Sequence, residues 1–181
     1  MAMIRKAGEQ DAALLSRIGG QTIIESHGNS APAEVMQAYI GEKFSEAAIR
    51  QELSDPANIF HIIYHGEEPA GYSKIIFSSP HKDILQQEVT KLERLYILER
   101  FHGLKLGREL FLFNRNLSEG AGQAGMWLFV WTGNSRAIRF YEKAGFRIVG
   151  ELGWFRLTDT HSNPNHQMLL TYGTYEVPPT S

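Results

Sequence analysis

The chain has 181 residues, 43% of them hydrophobic and 11% aromatic, which at about 150 residues per domain points to a single core-forming domain over residues 1–181. A net charge of −2 implies no polybasic face and argues against nucleic acid as the main ligand, and the absence of cysteine excludes disulfides, thiolate metal sites and a cysteine nucleophile. The longest purely apolar run, residues 126–131, falls far short of the ~20 residues needed to cross a bilayer, so a soluble cytoplasmic protein with no membrane partner is expected.

In chain order, residues 3–6 form a short strand candidate, and from Asp11 the pattern turns helical, with Leu14, Leu15 and Ile18 on one face and Gly19 and Gly20 weakening the centre. Residues 30–55 read as one or two amphipathic helical pieces that Pro56 ends. Residues 59–64 and 70–77, joined by a turn at 65–68, read as a β-hairpin. After a polar connection over 78–86, residues 91–98 carry apolar side chains on both faces and are therefore assigned to a central strand. Leu106, Leu110, Phe113 and Leu117 then share the buried stripe of a helix, which Gly120, Gly122 and Gly125 end. Residues 126–131 form the most apolar strand. A helix follows, with Asn134 or Ser135 as its N-cap and Gly145 as its stop. Residues 146–152 and 167–172 are the last two strands, separated by a polar loop over 158–165. This order fits an α+β domain with a mixed sheet.

Two motifs mislead. Residues 120–125 satisfy the letters of G-x-G-x-x-G, but a helix precedes them and a strand follows, the reverse of what dinucleotide binding needs. His61 and His65 lie on a strand candidate, where four residues separate side chains by ~13 Å, too far for one metal. No zincin, Walker or nucleophile-elbow sequence occurs, and no metal is expected.

The informative stretch is residues 95–108, which run strand, glycine-containing loop, helix N-terminus. In that order the free N–H groups of the first helical turn and the positive end of the helix dipole point at the loop, and glycine lets an anion approach the backbone. Read from the residues, the ligand is a diphosphate. Residues 102–107 resemble the pyrophosphate-binding motif of the GNAT-type N-acetyltransferase superfamily, Q/R-x-x-G-x-G/A. Gly107 matches its final glycine, Leu106 the aliphatic position and Gly103 the small residue after the first position. His102 stands in place of Gln/Arg, and Lys105 in place of the first glycine, where lysine cannot take a positive φ as cheaply. Residues 127–146 resemble the same superfamily's strand–N-x-x-A-x-x-F-Y-x-x-x-G-F signature through Asn134, Ala137, Phe140, Tyr141, Gly145 and Phe146. Trp127, Leu128, Val130 and Trp131, with residues 92–97, are similar to the PaiA-like branch associated with spermidine and spermine N-acetylation.

The resemblance implies a GNAT-like α+β (mixed α/β) fold, in which helices flank a central, mostly antiparallel mixed sheet with splayed middle strands. It implies acetyl-CoA as cosubstrate, with its pantetheine arm between strands 91–98 and 126–131. Leu95, Tyr96 and Ile97 would line that arm, Leu95 and Ile97 holding it by backbone groups and the Ile97 N–H polarising the thioester carbonyl. The diphosphate would lie on His102, Gly103, Leu104, Lys105, Leu106, Gly107 and Arg108. Asn134, as a helix cap or as a partner of the pantetheine amides, and Arg136 would join the cofactor wall. Tyr141 matches the tyrosine that protonates the leaving thiolate, the alternative being a helix tyrosine packed beside Phe140.

Transfer needs the acceptor amine neutral, and an alkylammonium has a pKa of ~10.4, so a base or a water chain must take a proton. Glu93, counted onto the face of Leu95 and Ile97, is the candidate base, and an ordinary carboxylate paired with a neighbouring Lys or Arg is the alternative. Glu25, Glu34, Glu42 and Glu46 could attract a polycation. The PaiA-like pattern carries further acids before its last strand, and here residues 158–166 keep only Asp159. The acceptor that the resemblance implies is a small amine, with a polyamine as the candidate; the alternative on the same fold is a peptide or protein amine or an aminoglycoside. A non-catalytic acyl-CoA sensor is the reading from another class. A homodimer is expected from the superfamily alone.

Overall fold

Stretches rich in β-branched and aromatic residues become the strands of one seven-stranded sheet in the computed structural model, which describes residues 2–173. In chain order the strands are β1 (Met3–Lys6), β2 (Ile59–His65), β3 (Glu68–Ile76), β4 (Val89–Ile97), β5 (Gly125–Trp131), β6 (Arg147–Arg156) and β7 (Ser162–Thr171). Their order across the sheet is β1-β2-β3-β4-β5-β7-β6. Every neighbouring pair is antiparallel except β4 and β5, which run parallel. The helices are α1 (Ala12–His27), α2 (Ala33–Lys43), α3 (Glu46–Ser54), α4 (Leu106–Gly120) and α5 (Ser135–Lys143). None of them is long and apolar enough to cross a membrane.

Strand alternation assigns the helices to faces. A Cβ at Gly19 of α1 would lie 3.3 Å from the Tyr72 hydroxyl, whereas the next residue of β3, Ser73, accepts a hydrogen bond from Asn114 of α4. So α1 packs on one face of the sheet and α4 on the other. Leu15, Ile18, Ile49 and Tyr72 fill the first side. Phe111, Met126, Leu128, Tyr141 and Met168 fill the second, beside α5.

The buried stripe of α4 differs from the one its leucines predict. Leu106 and Leu110 are buried, but Phe113 and Leu117 are only half-buried, and the stripe continues through Phe111, Asn114 and Ser118. Hydroxyls on the strands make this possible. The Asn114 side-chain amide donates to Ser73 at 2.9 Å, and the Ser118 hydroxyl lies 2.6 Å from that of Thr90, so polar side chains that would mark a solvent face find partners in the core, although the Asn114 Oδ1 is buried without one. The last two strands are also longer than expected. Residues 162–165 of the expected loop belong to β7, held between β5 and β6, and residues 120–125 join α4 to β5 as their order requires.

Two irregularities shape the centre. The register of β3 against β4 shifts between Lys74, opposite Arg94, and Ile75, opposite Leu92, which leaves Glu93 as an extra residue in a bulge. Pairing of β4 with β5 covers only Val89–Lys91 against Gly125–Trp127, and beyond these pairs the strands part.

Two histidines are held neutral by burial. Desolvation, with a smaller push from Lys6, lowers His61 to about 4, and desolvation lowers His27 to about 4. Both protonate near 6.5 in the unfolded chain, so this stability is full above pH 6.5 and drains as pH falls toward 4. At pH 5 the loss is on the order of 2 kcal/mol for His61 alone. The denaturant midpoint is therefore expected to fall clearly between pH 7.5 and pH 5, and equal midpoints would contradict the neutral, buried state of these rings.

Candidate active site

The parting of β4 from β5 leaves backbone groups without a sheet partner. The Leu98 N–H donates to Ala70 on β3, so alternation turns the backbone of Tyr96 toward β3 and the backbones of Leu95 and Ile97 into the gap. The Ile97 carbonyl accepts from His102 Nε2 at 2.8 Å. Arg136, just inside α5, donates to the other ring nitrogen, Nδ1. An arginine can only donate and a carbonyl can only accept, so His102 carries its proton on Nε2 and links β4 to α5 across the gap's end.

At the same end, the loop before α4 keeps the geometry of an anion cradle. Gly103 has φ +85°, and Lys105 has φ +62°, the left-handed conformation for which glycine is the usual residue. The side chain of Lys105 does not exclude that geometry; it costs about 1 kcal/mol. Lys105 is the N-cap of α4 and makes no side-chain cap, which leaves the N–H groups of Leu106, Gly107 and Arg108 without intrahelical acceptors. A Cβ at Gly107 would meet Ile97 at 3.6 Å and Phe140 at 3.9 Å, ordinary contacts. The protein's own packing thus does not require a glycine there. Lys105, Arg108 and Arg136 are exposed around the loop. The acid of this turn, Glu109, is occupied by the Ala2 N–H at 3.2 Å.

The bulge turns Glu93 to the α1 face, away from the face of Leu95 and Ile97 where uninterrupted alternation would place it. There it belongs to an ion network. Lys74, 5% exposed, lies 2.8 Å from Glu52 and 3.0 Å from Glu93, and Arg94 forks onto both oxygens of Glu52 at 3.0 Å each. Burial pushes the Glu93 carboxyl up, but Lys74, Lys91 and Arg94 together outweigh it and hold the group below its ordinary value.

Aromatic rings border this face. His27, at the end of α1, packs 6.2 Å from Tyr96 and 5.8 Å from Trp131, ring centre to ring centre, and Tyr39 of α2 meets Phe155 of β6 edge-on at 6.0 Å. On the α4 side, Tyr141 sits between Phe140 and Phe146, where burial, and then the nearby Tyr96, push its phenol well above the ordinary value. Asn134 caps α5, accepting from the Ala137 N–H at 3.1 Å. Among the described residues no three His, Asp or Glu side chains gather as a metal site.

Residues 25–146 match the family described as the acetyltransferase (GNAT) family. The chain belongs to that family. It is 26% identical over 160 residues to an uncharacterized N-acetyltransferase of Lactobacillus delbrueckii subsp. lactis, covering 86% of this chain and 92% of the relative. An uncharacterized N-acetyltransferase of Mycobacterium tuberculosis is 29% identical over 155 residues, covering 84% and 93%. The fold is similar to that of the PaiA N-acetyltransferase of Thermoplasma acidophilum, solved in complex with coenzyme A, with a TM-score of 0.75, 20% identity and coverage of 95% and 99%. It is also similar to the ribosomal-protein-S18-alanine N-acetyltransferase of Escherichia coli, with a TM-score of 0.67, 16% identity and coverage of 98% and 99%.

Within this GNAT fold, Leu95, Ile97, the loop 102–108, Asn134, Arg136 and Tyr141 surround the gap from the α4 and α5 side. Tyr96 turns its ring, like Glu93, to the opposite face. Three of the other acids singled out in the sequence are engaged by the protein itself: Glu42 pairs with Lys43, Glu46 pairs with Arg50, and Glu25 accepts the Glu99 N–H. Residues that sequence reasoning missed are His27, Tyr39, Glu52 and Lys74. Trp131, named in the sequence only as part of an apolar strand, borders the α1 face, and a Cβ at Gly133 would strike its ring at 2.3 Å.

Glu52 serves two cations and Glu93 shares one. Glu52→Ala is therefore expected to lower stability by about 3 kcal/mol, leaving Arg94 uncompensated, and Glu93→Ala by about 1 kcal/mol. Denaturant melts of the two variants check the order, and equal losses would show that Glu52 is not the hub.

Proposed function

We propose that this acetyltransferase is an acetyl-CoA-dependent N-acetyltransferase that passes the acetyl group directly to a primary amine, with no covalent enzyme intermediate. The observation that carries the reading is the β4–β5 gap ending at an uncapped α4 N-terminus whose preceding residue, Lys105, is left-handed. The likeness to a PaiA N-acetyltransferase solved with coenzyme A, and the N-acetyltransferase relatives, support it.

Bound acetyl-CoA would supply the acetyl group as an activated thioester. In this proposal the backbones of Leu95 and Ile97 hold the arm, with an N–H aimed at the carbonyl. His102, Gly103, Leu104, Lys105, Leu106, Gly107 and Arg108 take the diphosphate, with Arg136 adding charge and Asn134 offering its remaining amide hydrogens. With that wall filled from the α4 side, the amine enters from the α1 face. Glu93 is ionised there. It draws the ammonium in, and the ammonium gives up its proton to water beside it, the lowered pKa of Glu93 making it an anchor more than a strong base. Tyr141 stays protonated because burial raises its pKa, so it can give its proton to the departing sulfur. A non-catalytic sensor loses its motive, since that reading needed Lys105 to break the loop. Exposed Ile148, Leu152 and Trp154 on the edge strand β6 support pairing with a second copy.

Gly107→Ala separates folding from binding. Alanine fits the space and favours the helix, so the thermal midpoint should hold or rise, while affinity for acetyl-CoA falls by about tenfold or more. A loss of stability with unchanged affinity would refute the role of the loop.

The direct test follows free CoA with a thiol reagent across spermidine, spermine, aminoglycosides and short peptides; the chain has no cysteine and adds no background. Saturable turnover is expected with at least one amine, and Tyr141→Phe should lower its maximal rate by about a hundredfold with little change in acetyl-CoA affinity. Absence of acetyl-CoA binding would sink the proposal.

A further inference from the structure

We propose that Asn165 and Gln167 of β7 select an acceptor bearing a neutral hydrogen-bonding group, an amide or a hydroxyl, beside its amine, and select against one bearing a second ammonium. This rests on the acetyl-transfer reading above and specifies its substrate.

The register of β7 sets the geometry. Asn165 lies opposite Trp131 of β5 and Gly153 of β6, Gln167 opposite Phe129, and Asn163 opposite Phe155. Trp131 packs on His27 of α1, so its face is the one from which the amine enters. Asn163, Asn165 and Gln167 alternate onto that face, while Met168 and Leu170 point into the core beside α5. Tyr39 and Phe155 bound one end of this column, and His81 against Phe129 bounds the other.

Two amides of the column, those of Asn165 and Gln167, carry atoms without partners. Gln167 is 1% exposed, and neither its Oε1 nor its Nε2 has a hydrogen-bond partner; the Oδ1 of Asn165 is likewise buried and unpaired. Buried polar groups are almost always paired, because leaving one unpaired forfeits its hydration with no return. Three unpaired atoms on the acceptor face, donor and acceptor both present, match an amide or hydroxyl of a substrate.

The nearby charges do not match a second ammonium. Glu52 and Glu93 are already engaged by Lys74 and Arg94, and Asp159 pairs with Arg156 on the exposed loop. Asp83 is the carboxylate that reaches the column. It would meet a Cβ at Gly150 at 3.2 Å, beside Gln167 Oε1, and His81 lies 3.7 Å from it, at the end remote from Trp131.

The test compares kcat/KM for amines of matched length: an amino-acid amide, an amino alcohol, a diamine and a plain alkylamine. With the wild-type enzyme the amide or the alcohol should exceed both the alkylamine and the diamine by about tenfold or more. That ratio should fall toward one in Asn165→Leu and Gln167→Leu. The near-isosteric Asn165→Asp, which guards against misfolding of the leucine variants, should shift preference toward the diamine. A wild-type preference for the diamine, lost in Asp83→Asn, overturns the inference and leaves the acetyltransferase reading standing. A selectivity ratio undiminished in folded leucine variants also overturns it. Absence of turnover with every amine overturns both.

Discussion

The structure depends on β4 and β5 parting after three pairs. Beyond those pairs each of the two strands is hydrogen-bonded on its outer side only. β4 lies so close to β3 that a Cβ at Gly71 would fall 2.3 Å from the Tyr96 carbonyl, and β5 is paired with β7 along its whole length, from Gly125 opposite Thr171 to Trp131 opposite Asn165. The outer pairings fix the two walls independently, so the gap needs no support from within. Its cost is a set of strand amides without sheet partners, which are stable in place only because the outer ladders and both helical layers over-determine the strands that carry them.

Around that gap, charge is distributed by face. On the α4 and α5 side the cations Lys105, Arg108 and Arg136 stand exposed at a helix N-terminus, the arrangement suited to a mobile dianion. On the α1 side the cations Lys74 and Arg94 are buried and matched by Glu52 and Glu93, the arrangement suited to holding a carboxylate still. The bulge at Glu93 connects the two. It moves one side chain from the first face to the second, and so puts a carboxylate on the side where Tyr39, Tyr96 and His27 leave a polar, aromatic border.

The sequence disclosed what local rules govern. Strand-loop-helix order, the Asn134 cap and the turn at Gly145 all follow from contacts within a few residues, and the structure has each of them. Lys105 shows the limit of a residue-type rule: propensity disfavours lysine at positive φ, yet the fold imposes it because one residue's strain is small against the packing of Leu106 and Leu110 that follows. Glu93 shows the limit of period counting, since a bulge inserts a residue that no period contains. The α4 stripe and the buried amides of β7 show a third limit. Asn114, Ser118, Asn163 and Gln167 read as solvent residues because their partners, or the face that buries them, come from segments tens of residues away.

That last point bears on how specificity is built in this fold. The chemistry of acetyl transfer needs only the gap, the anion cradle and a proton route, and these sit on elements whose sequence pattern is local. Selection of the acceptor falls to β7, a strand paired on both sides, whose backbone is fixed by β5 and β6 and whose side chains on the α1 face are free to differ without moving the catalytic walls. Amides in that position act through the partners that a matching substrate supplies. A plain alkyl chain laid against Asn165 and Gln167 would leave their already unpaired groups as they are, and a second ammonium would find few free carboxylates, so discrimination arises from the hydrogen bonds that only the matching group gains.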